Sequence, residues 1–184
     1  MTSHKEVAQQ LDKKDILASF RDRFFHPEKV IYLDGNSLGK QPLDAKETLN
    51  TILEEQWGKK LIRSWNDHWL AVPKRIAAKL AVLLNANPNE VLVGESTSVN
   101  LYKLTYALLT SGHFPKQLVT DSLNFPTDNY ILQGISAQLP IAAPITVRYS
   151  SDLVADIPLL QKTIRRAPGI LCLSLVTYKS AYLY

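Results

Sequence analysis

The sequence predicts an α/β fold, in which an N-terminal helical segment is followed by an incomplete, largely parallel sheet. After residue 90, short apolar runs typical of strands alternate with segments of helical periodicity, which is the order of βαβ units. Before residue 90, apolar residues recur at helical spacing, and Pro42 and Pro73 stand where helices open. The last apolar run, residues 169–176, is followed by no closing helix, so the sheet is expected to be unfinished.

Three helices are predicted in the first 90 residues. The first begins at a capping box formed by Ser3 and Glu6 and ends before Pro27. The second spans residues 42–57, and the third opens at Pro73. The buried faces of the second and third helices are predicted to carry Leu49, Ile52, Leu53, Ile76, Leu80 and Leu83 or Leu84.

The remaining elements alternate along the chain. Strands are predicted at residues 91–93, 118–120, 145–149 and 169–176. Helices are predicted at residues 98–109, 126–137 and 157–166. We therefore divide the chain into an N-terminal segment, residues 1–50, and a partial sheet domain, residues 51–184.

Composition excludes several classes of protein. Apolar residues make up 46% of the 184 positions and charged residues 21%, as in globular domains. No apolar stretch approaches the roughly 20 residues of a membrane span, and the N-terminus lacks a signal-peptide core. The single cysteine, Cys172, fits a reducing compartment, so a cytoplasmic protein without a membrane partner is expected. The net charge of +4 is scattered and the four histidines lack ligand spacing, so neither nucleic acid nor a metal is expected.

The first candidate site follows the predicted strand at 91–93. Ligands of open α/β sheets bind beyond the carboxyl ends of the strands. Here Gly94 allows close backbone approach, and Thr97 and Ser98 offer hydroxyls and free amides at a helix start, which suit a phosphate. Helix capping alone is the alternative, because Ser and Thr are common caps.

Two further candidates follow later strands. Phe125 precedes the helix-opening Pro126, so its ring is expected at the sheet edge, where it can stack on a flat heteroaromatic ligand. Thr127 and Asp128 would lie in the first helical turn; the alternative is a hydrophobic staple with a helix-start carboxylate. Ser174, in the last strand, is either a polar site contact or a satisfied hydroxyl within the sheet.

Two upstream segments also carry candidates. Asn36 and Ser37 belong to a polar turn, residues 34–39, and either reach a ligand or serve the turn alone. Trp65 stands beside Arg63 and forms either a substrate wall or ordinary packing.

Five segments, read in order, resemble the kynureninase family. They are YLDGNSLG at 32–39, LIRSWN at 61–66, STSVNL at 96–101, NFPTD at 124–128 and VTYKS at 176–180. The RSWN form is similar to the bacterial branch. Together the segments cover about residues 30 to 180, which makes the combined signal specific although each segment alone is weak.

The resemblance implies a pyridoxal 5'-phosphate (PLP) enzyme with the aspartate-aminotransferase type of large domain, acting as a homodimer. Such an enzyme hydrolyses L-kynurenine, or 3-hydroxykynurenine, to anthranilate, or 3-hydroxyanthranilate, and L-alanine. This reaction belongs to tryptophan catabolism and NAD biosynthesis. By motif, cofactor contacts fall on Thr97, Ser98, Phe125, Thr127, Asp128 and Ser174. Substrate-side residues fall on Asn36, Ser37 and Trp65.

The family's Schiff-base lysine, its pyridinium-pairing Asp and its C-terminal domain lie beyond the segment that VTYKS matches. Lys103 and Lys179 are not in the family's lysine motif. The chain is therefore expected to be a truncated member that carries no catalytic residue and is inactive alone.

Two alternatives remain open at this level. One is another PLP enzyme of the same fold, a cysteine desulfurase or a class V aminotransferase, although cysteine desulfurases typically carry a His where Phe125 would stack. The other is a non-catalytic fragment that binds a partner protein.

Overall fold

Residues 3–184 are described by a computed structural model, in which the chain divides at Leu92 into two units. The first unit is mainly helical, and the second, Val93–Tyr184, contains the sheet. No helix among residues 3–184 has the length and apolar character needed to cross a membrane.

The first unit begins with α1, His4–Lys14, and the predicted capping box is confirmed. Ser3 Oγ accepts the amide of Glu6 at 3.2 Å, and the Glu6 carboxylate accepts the amide of Ser3 at 2.8 Å. The prediction of one helix reaching Pro27 is wrong. Asp15 adopts an extended backbone and its carboxylate accepts the amide of Leu17 at 2.9 Å, a local bond that competes with helix continuation.

The helices that follow in this unit are partly short. After the 3-10 turn Ala18–Arg23 come α2 (Leu43–Thr51), its π-helical continuation Ile52–Lys59, the 3-10 turn Leu61–Arg63, α3 (Ser64–Asp67), the 3-10 turn Trp69–Ala71, α4 (Val72–Leu84) and the 3-10 turn Pro88–Glu90. The predicted helix over 42–57 is thus confirmed, with wider turns in its second half.

The predicted buried faces of these helices are wrong. On α4 the buried residues are Ala77 and Ala81, whereas Ile76 and Leu80 are 39% and 38% exposed. Leu83 and Leu84 are more exposed still, as are Leu49 and Leu53 on the preceding helix. On this helix the small side chains are the buried ones, and the larger leucine and isoleucine side chains are exposed.

The second unit holds the sheet. Its elements are α5 (Thr97–Thr110), β1 (Leu118–Asp121), α6 (Pro126–Gln138), β2 (Ile145–Val147), α7 (Ile157–Arg166) and β3 (Ile170–Leu171). The strands are parallel in the order β2-β1-β3, so the predicted α/β class with an open parallel sheet is confirmed.

Two predicted strands are largely absent from the structure, and the strand predicted over 145–149 is shorter, Ile145–Val147. Residues 91–93 form no strand, and Leu92 is 91% exposed. The strand predicted over 169–176 is limited to Ile170–Leu171, which pairs with Leu118 and Val119 of β1. Strand formation requires a neighbouring ladder as well as apolar residues, and no strand of residues 3–184 pairs with 91–93.

The core of this unit lies on both faces of β1, whose four residues are all buried. On one face Leu118 packs with Leu109, Leu132 and Ile135; on the other Val119 packs with Val147 and Leu160. Successive side chains of a strand point to opposite faces, which explains why this central strand is a continuous buried run.

A buried carboxylate ends this strand. Asp121 is 1% exposed, and its Oδ2 accepts the phenols of Tyr149, at 3.1 Å, and Tyr184. Two effects raise the pKa of Tyr149 to about 12: burial, which is the larger, and the nearby negative charge of Asp121. Burial and the bond to Asp121 also raise the pKa of Tyr184. Both phenols are therefore held in their neutral form.

Truncating the core is expected to be costly. Leu132→Ala removes a side chain that is 0% exposed, and should lower the free energy of unfolding by about 2–5 kcal/mol. Leu104→Ala, at a helix position that is 66% exposed, is the matched control and should change it by about 0.5 kcal/mol or less. Urea denaturation measures both. Equal effects of the two variants would contradict the core assigned here.

Stability is expected to fall at alkaline pH through Tyr149. The folded pKa of about 12 exceeds the ordinary value of about 10, so the stabilisation is complete below about pH 10 and is lost as pH rises through about 12. Tyr149→Phe should be less stable than wild type at neutral pH, because Asp121 loses a donor, but should lose stability less steeply over this range. Urea denaturation at a series of pH values measures the free energy of unfolding of both proteins. If that free energy fell equally steeply with pH in both, the assigned contribution of Tyr149 would be refuted.

Candidate functional site

A cavity of ≈ 310 Å³ in the second unit is lined by five of the predicted cofactor residues. They are Thr97, Ser98, Phe125, Thr127 and Asp128. Two segments that are well separated in sequence, 97–98 and 125–128, therefore meet at one depression.

The first wall of the cavity is the start of α5. Ser96 is the cap, and its Oγ accepts the amide of Val99 at 3.4 Å. Because Ser96 performs the capping, the hydroxyls of Thr97 and Ser98 are not required for it. The amides of a first helical turn have no intrahelical acceptor, so this end of α5 is suited to an anion.

Gly94 permits the loop before α5 to fold tightly. A Cβ built at Gly94 would lie 2.8 Å from Asn100 Oδ1, a distance that real Cβ atoms do not show. The side-chain Nδ2 of Asn100 in turn donates to the Glu95 carbonyl at 3.2 Å, which connects the loop to the first turn of α5. The close approach predicted at the Gly94 backbone is thus an approach of the Asn100 side chain.

The second wall is the start of α6, where Phe125 is the cap residue. A hydrophobic staple would need apolar residues at Asn124 and Asn129, the positions before the cap and at the fourth helical residue, and both are polar. The Phe125 ring is instead 47% exposed and lies edge-on to Tyr178, with ring centroids 5.1 Å apart. Part of the ring is therefore available to a ligand.

Asp128 contributes the carboxyl group of the cavity. It lies in the first turn of α6, and partial burial raises its pKa. Its position near the α6 N-terminus is electrostatically favourable, since helix dipoles stabilise carboxylates there. The cavity thus combines two helix N-termini, one aromatic ring and one carboxyl group.

Ser174 is not among the residues that line the cavity. It follows β3, is half-buried, and its Oγ donates to Asn124 Oδ1 at 2.5 Å. Asn124 immediately precedes Phe125, so this bond connects Ser174 to the turn that presents the ring.

The predicted substrate-side residues lie in the first unit. Ser37 Oγ donates to Asp34 Oδ1 at 2.8 Å inside an exposed turn that also contains Asn36. The Tyr32 hydroxyl closes this turn: it lies 2.6 Å from the Leu38 carbonyl and 2.9 Å from the Asp34 carbonyl, which share its single proton.

Trp65 belongs to an aromatic hollow of ≈ 340 Å³ in the first unit. The other lining residues are Trp57, Leu61, Ile62 and Trp69. Trp65 is 50% exposed and packs edge-on to Trp69 with centroids 6.0 Å apart. The sequence predicted only Trp65, because residues 57–69 fold as π-helical, 3-10 and short α-helical turns, so no single helical periodicity marks the hollow.

The sequence indicated no role for two buried polar residues near the cavity segments, Asp121 and Asn124, which are 1% and 3% exposed, although Asn124 belongs to the NFPTD segment. The lysines considered in the sequence, Lys103 and Lys179, do not line the cavity. Lys103 pairs with Glu95 at 2.9 Å and Lys179 with Asp152 at 3.4 Å.

Comparison with known proteins identifies relatives of this chain, although no protein-family model matches it. The kynureninase of Burkholderia mallei (strain SAVP1) is 38% identical in an alignment 195 positions long, which covers 91% of this chain and 47% of the relative. That of Burkholderia pseudomallei (strain K96243) is 39% identical over the same shares. The Pseudomonas fluorescens kynureninase is 38% identical over 179 residues, 95% of this chain and 42% of the relative.

The chain spans about half the length of the curated relatives it matches. The aligned region covers more than nine-tenths of the chain, and its range therefore spans the cavity segments and the turn around Asn36. The chain is thus similar in sequence to curated kynureninases over nearly its whole length, with coverage consistent with an N-terminal portion of such an enzyme.

Proposed function

We propose that this chain forms the phosphate- and ring-binding part of a PLP site in a kynureninase. The activity proposed for the whole protein is hydrolysis of L-kynurenine or 3-hydroxykynurenine to the corresponding anthranilate and L-alanine, in tryptophan catabolism and NAD biosynthesis. The observation that carries the proposal is the meeting of Thr97, Ser98 and Phe125 at one cavity, in a chain homologous to kynureninases.

The donor set fits PLP. The phosphate needs hydrogen-bond donors and a positive potential, which the α5 N-terminus offers through amides and the hydroxyls of Thr97 and Ser98. The pyridine ring needs an aromatic face, which the exposed part of Phe125 offers. A volume of ≈ 310 Å³ lies at the lower end of small-molecule sites.

PLP, when bound, supplies an electron sink for negative charge that develops at the substrate's α-carbon. In this proposal Thr97 and Ser98 donate to the phosphate and fix one end of the cofactor. Phe125 covers one face of the ring and excludes water from it. Thr127 and Asp128 hold polar groups at the ring's edge, and Ser174 supports the site through its bond to the Phe125 turn.

The wider assignments are part of the same proposal. Residues 51–184 belong to the large domain of the enzyme, and residues 1–50 form an N-terminal segment. Asn36, Ser37 and Trp65 contact the substrate. The whole enzyme is a cytoplasmic homodimer.

Another PLP enzyme of this fold would share the phosphate end of the site, so the α5 N-terminus alone does not separate a kynureninase from a cysteine desulfurase or a class V aminotransferase. Phe125 at the stacking position and 38% identity to kynureninases over 91% of the chain favour the kynureninase.

Phe125→Ala is expected to weaken binding of pyridoxamine 5'-phosphate, a cofactor form whose amine cannot form an imine with a lysine. One aromatic contact is worth about 0.5–1.5 kcal/mol, so the Kd should rise about two- to tenfold while the Kd for inorganic phosphate stays unchanged. Thr97→Ala should weaken both ligands, because it removes a phosphate donor.

Isothermal titration calorimetry measures these constants. Phe114→Ala, at an equally exposed phenylalanine of the same unit (48% against 47%), is the matched control and should bind like wild type. Equal binding by the Phe125 and Phe114 variants would remove the stacking role.

The 184-residue chain supplied with PLP is expected to release anthranilate from L-kynurenine no faster than PLP alone. No lysine lines the cavity, so no side-chain amine there is placed to carry the substrate's α-proton. Anthranilate fluorescence measures the rate, with a bacterial kynureninase as the positive control. Release well above the PLP background would contradict this, and Lys103→Ala and Lys179→Ala would then identify the base.

A further inference from the structure

Asn124 is a buried amide at the junction of β1, β3 and α6, and all of its hydrogen-bonding positions are used. It is 3% exposed. Its Nδ2 donates to Thr120 Oγ1 at 3.2 Å and to the Cys172 carbonyl at 3.3 Å. Its Oδ1 accepts the Phe125 amide at 3.0 Å and the Ser174 hydroxyl at 2.5 Å.

The chemistry of these partners fixes the orientation of the Asn124 amide. The Cys172 carbonyl can only accept and the Phe125 N–H can only donate, so exchanging the oxygen and nitrogen of the amide would break both bonds. The Thr120 hydroxyl in turn donates to Asn129 Oδ1 at 3.1 Å, which extends the hydrogen-bond network to α6. The Asn124 side chain thus joins the ends of β1 and β3 to the first turn of α6.

The backbone around Asn124 is held from both sides. Asp121 Oδ1 accepts the amides of Leu123 and Asn124, each at 2.9 Å, on the side toward β1. On the other side the Asn124 side chain holds the amide of Phe125, and Pro126 restricts Phe125 to extended backbone, with φ −62° and ψ 137°. The backbone that carries the Phe125 side chain therefore has a fixed conformation before any ligand is present.

We propose that Asn124 is a positioning residue that presents the Phe125 ring to the cofactor, and that Ser174 acts through Asn124. The inference rests on the proposed PLP site. The Ser174 hydroxyl has one proton, and it donates that proton to Asn124 Oδ1. A phosphate oxygen only accepts, so Ser174 in this arrangement supports the ring-presenting turn rather than the phosphate.

The test is a double-mutant cycle between Asn124 and Phe125 on the 184-residue chain, with pyridoxamine 5'-phosphate as the probe. Asn124→Ala should raise the Kd about two- to tenfold with Phe125 present, and less than about twofold in the Phe125→Ala background. The Kd for inorganic phosphate should not change, because the α5 end is untouched. The circular dichroism induced in the cofactor's absorption band should diminish, since it reports how the ring is held.

Ser174→Ala keeps the test decisive if Asn124→Ala fails to fold. It removes one half-buried hydroxyl and should show the same pattern with a smaller effect. Ser111→Ala, which removes an exposed hydroxyl whose partners, the Leu108 carbonyl and the His113 amide, lie at the C-terminal end of α5, is the matched control and should have no effect.

The outcomes separate the inference from the function it rests on. If Phe125→Ala weakens the probe but the Asn124 and Ser174 variants bind it like wild type, the PLP site stands and the positioning role is wrong. Equal weakening in both Phe125 backgrounds, or weaker phosphate binding by Ser174→Ala, also overturns the positioning role. If wild type binds the probe no more tightly than inorganic phosphate, the PLP site and the inference both fall.

Discussion

The burial of β1 is the constraint on which the second unit depends. This strand lies between β2 and β3 with all four residues buried, so any polar group at its end must find partners inside the protein. Asp121 and Asn124 stand at that end and are almost fully buried. An unpaired carboxylate or amide there would cost several kcal/mol, and the surrounding chain is arranged so that neither is unpaired.

The candidate site follows from how those groups are satisfied. Asp121 accepts two amides of the turn after β1, and Asn124 accepts the amide of Phe125. The turn is thereby tied to the sheet, and Phe125 enters the cavity from a fixed backbone. A site built on such anchored elements is pre-organised, because little conformational entropy remains to be lost when a ligand binds. The α5 N-terminus faces the same cavity and adds donors that require no movement to bind an anion.

The same buried end connects residues that are distant in sequence. The phenols of Tyr149 and Tyr184 both reach Asp121, and Ser174 reaches Asn124. These contacts join the segments after β2 and after β3 to the turn that carries Phe125. The integrity of the cavity wall therefore depends on residues far outside the NFPTD motif, which is why the motif alone does not describe the site.

The sequence by itself determined the features that rest on short-range chemistry. Ser3 with Glu6 marked the first helix, Pro126 marked α6, and the hydroxyl-rich segment around Thr97 marked the start of α5. The alternation of apolar runs and helical segments gave the α/β class, and five short motifs gave the kynureninase resemblance. Such signals act between residues a few positions apart, so they can be read along the chain.

Only the tertiary structure decided which apolar runs pair and which polar groups are buried. Residues 91–93 have strand composition but no partner strand, and the run over 169–176 pairs with β1 at two residues alone. On α4 the alanines are buried rather than the larger Ile76 and Leu80. Ser174 bonds to Asn124, whose sequence position gives no sign that its amide has four partners. Pairing, burial and long-range hydrogen bonds depend on what the folded chain places alongside each residue, and that neighbour is absent from the local sequence.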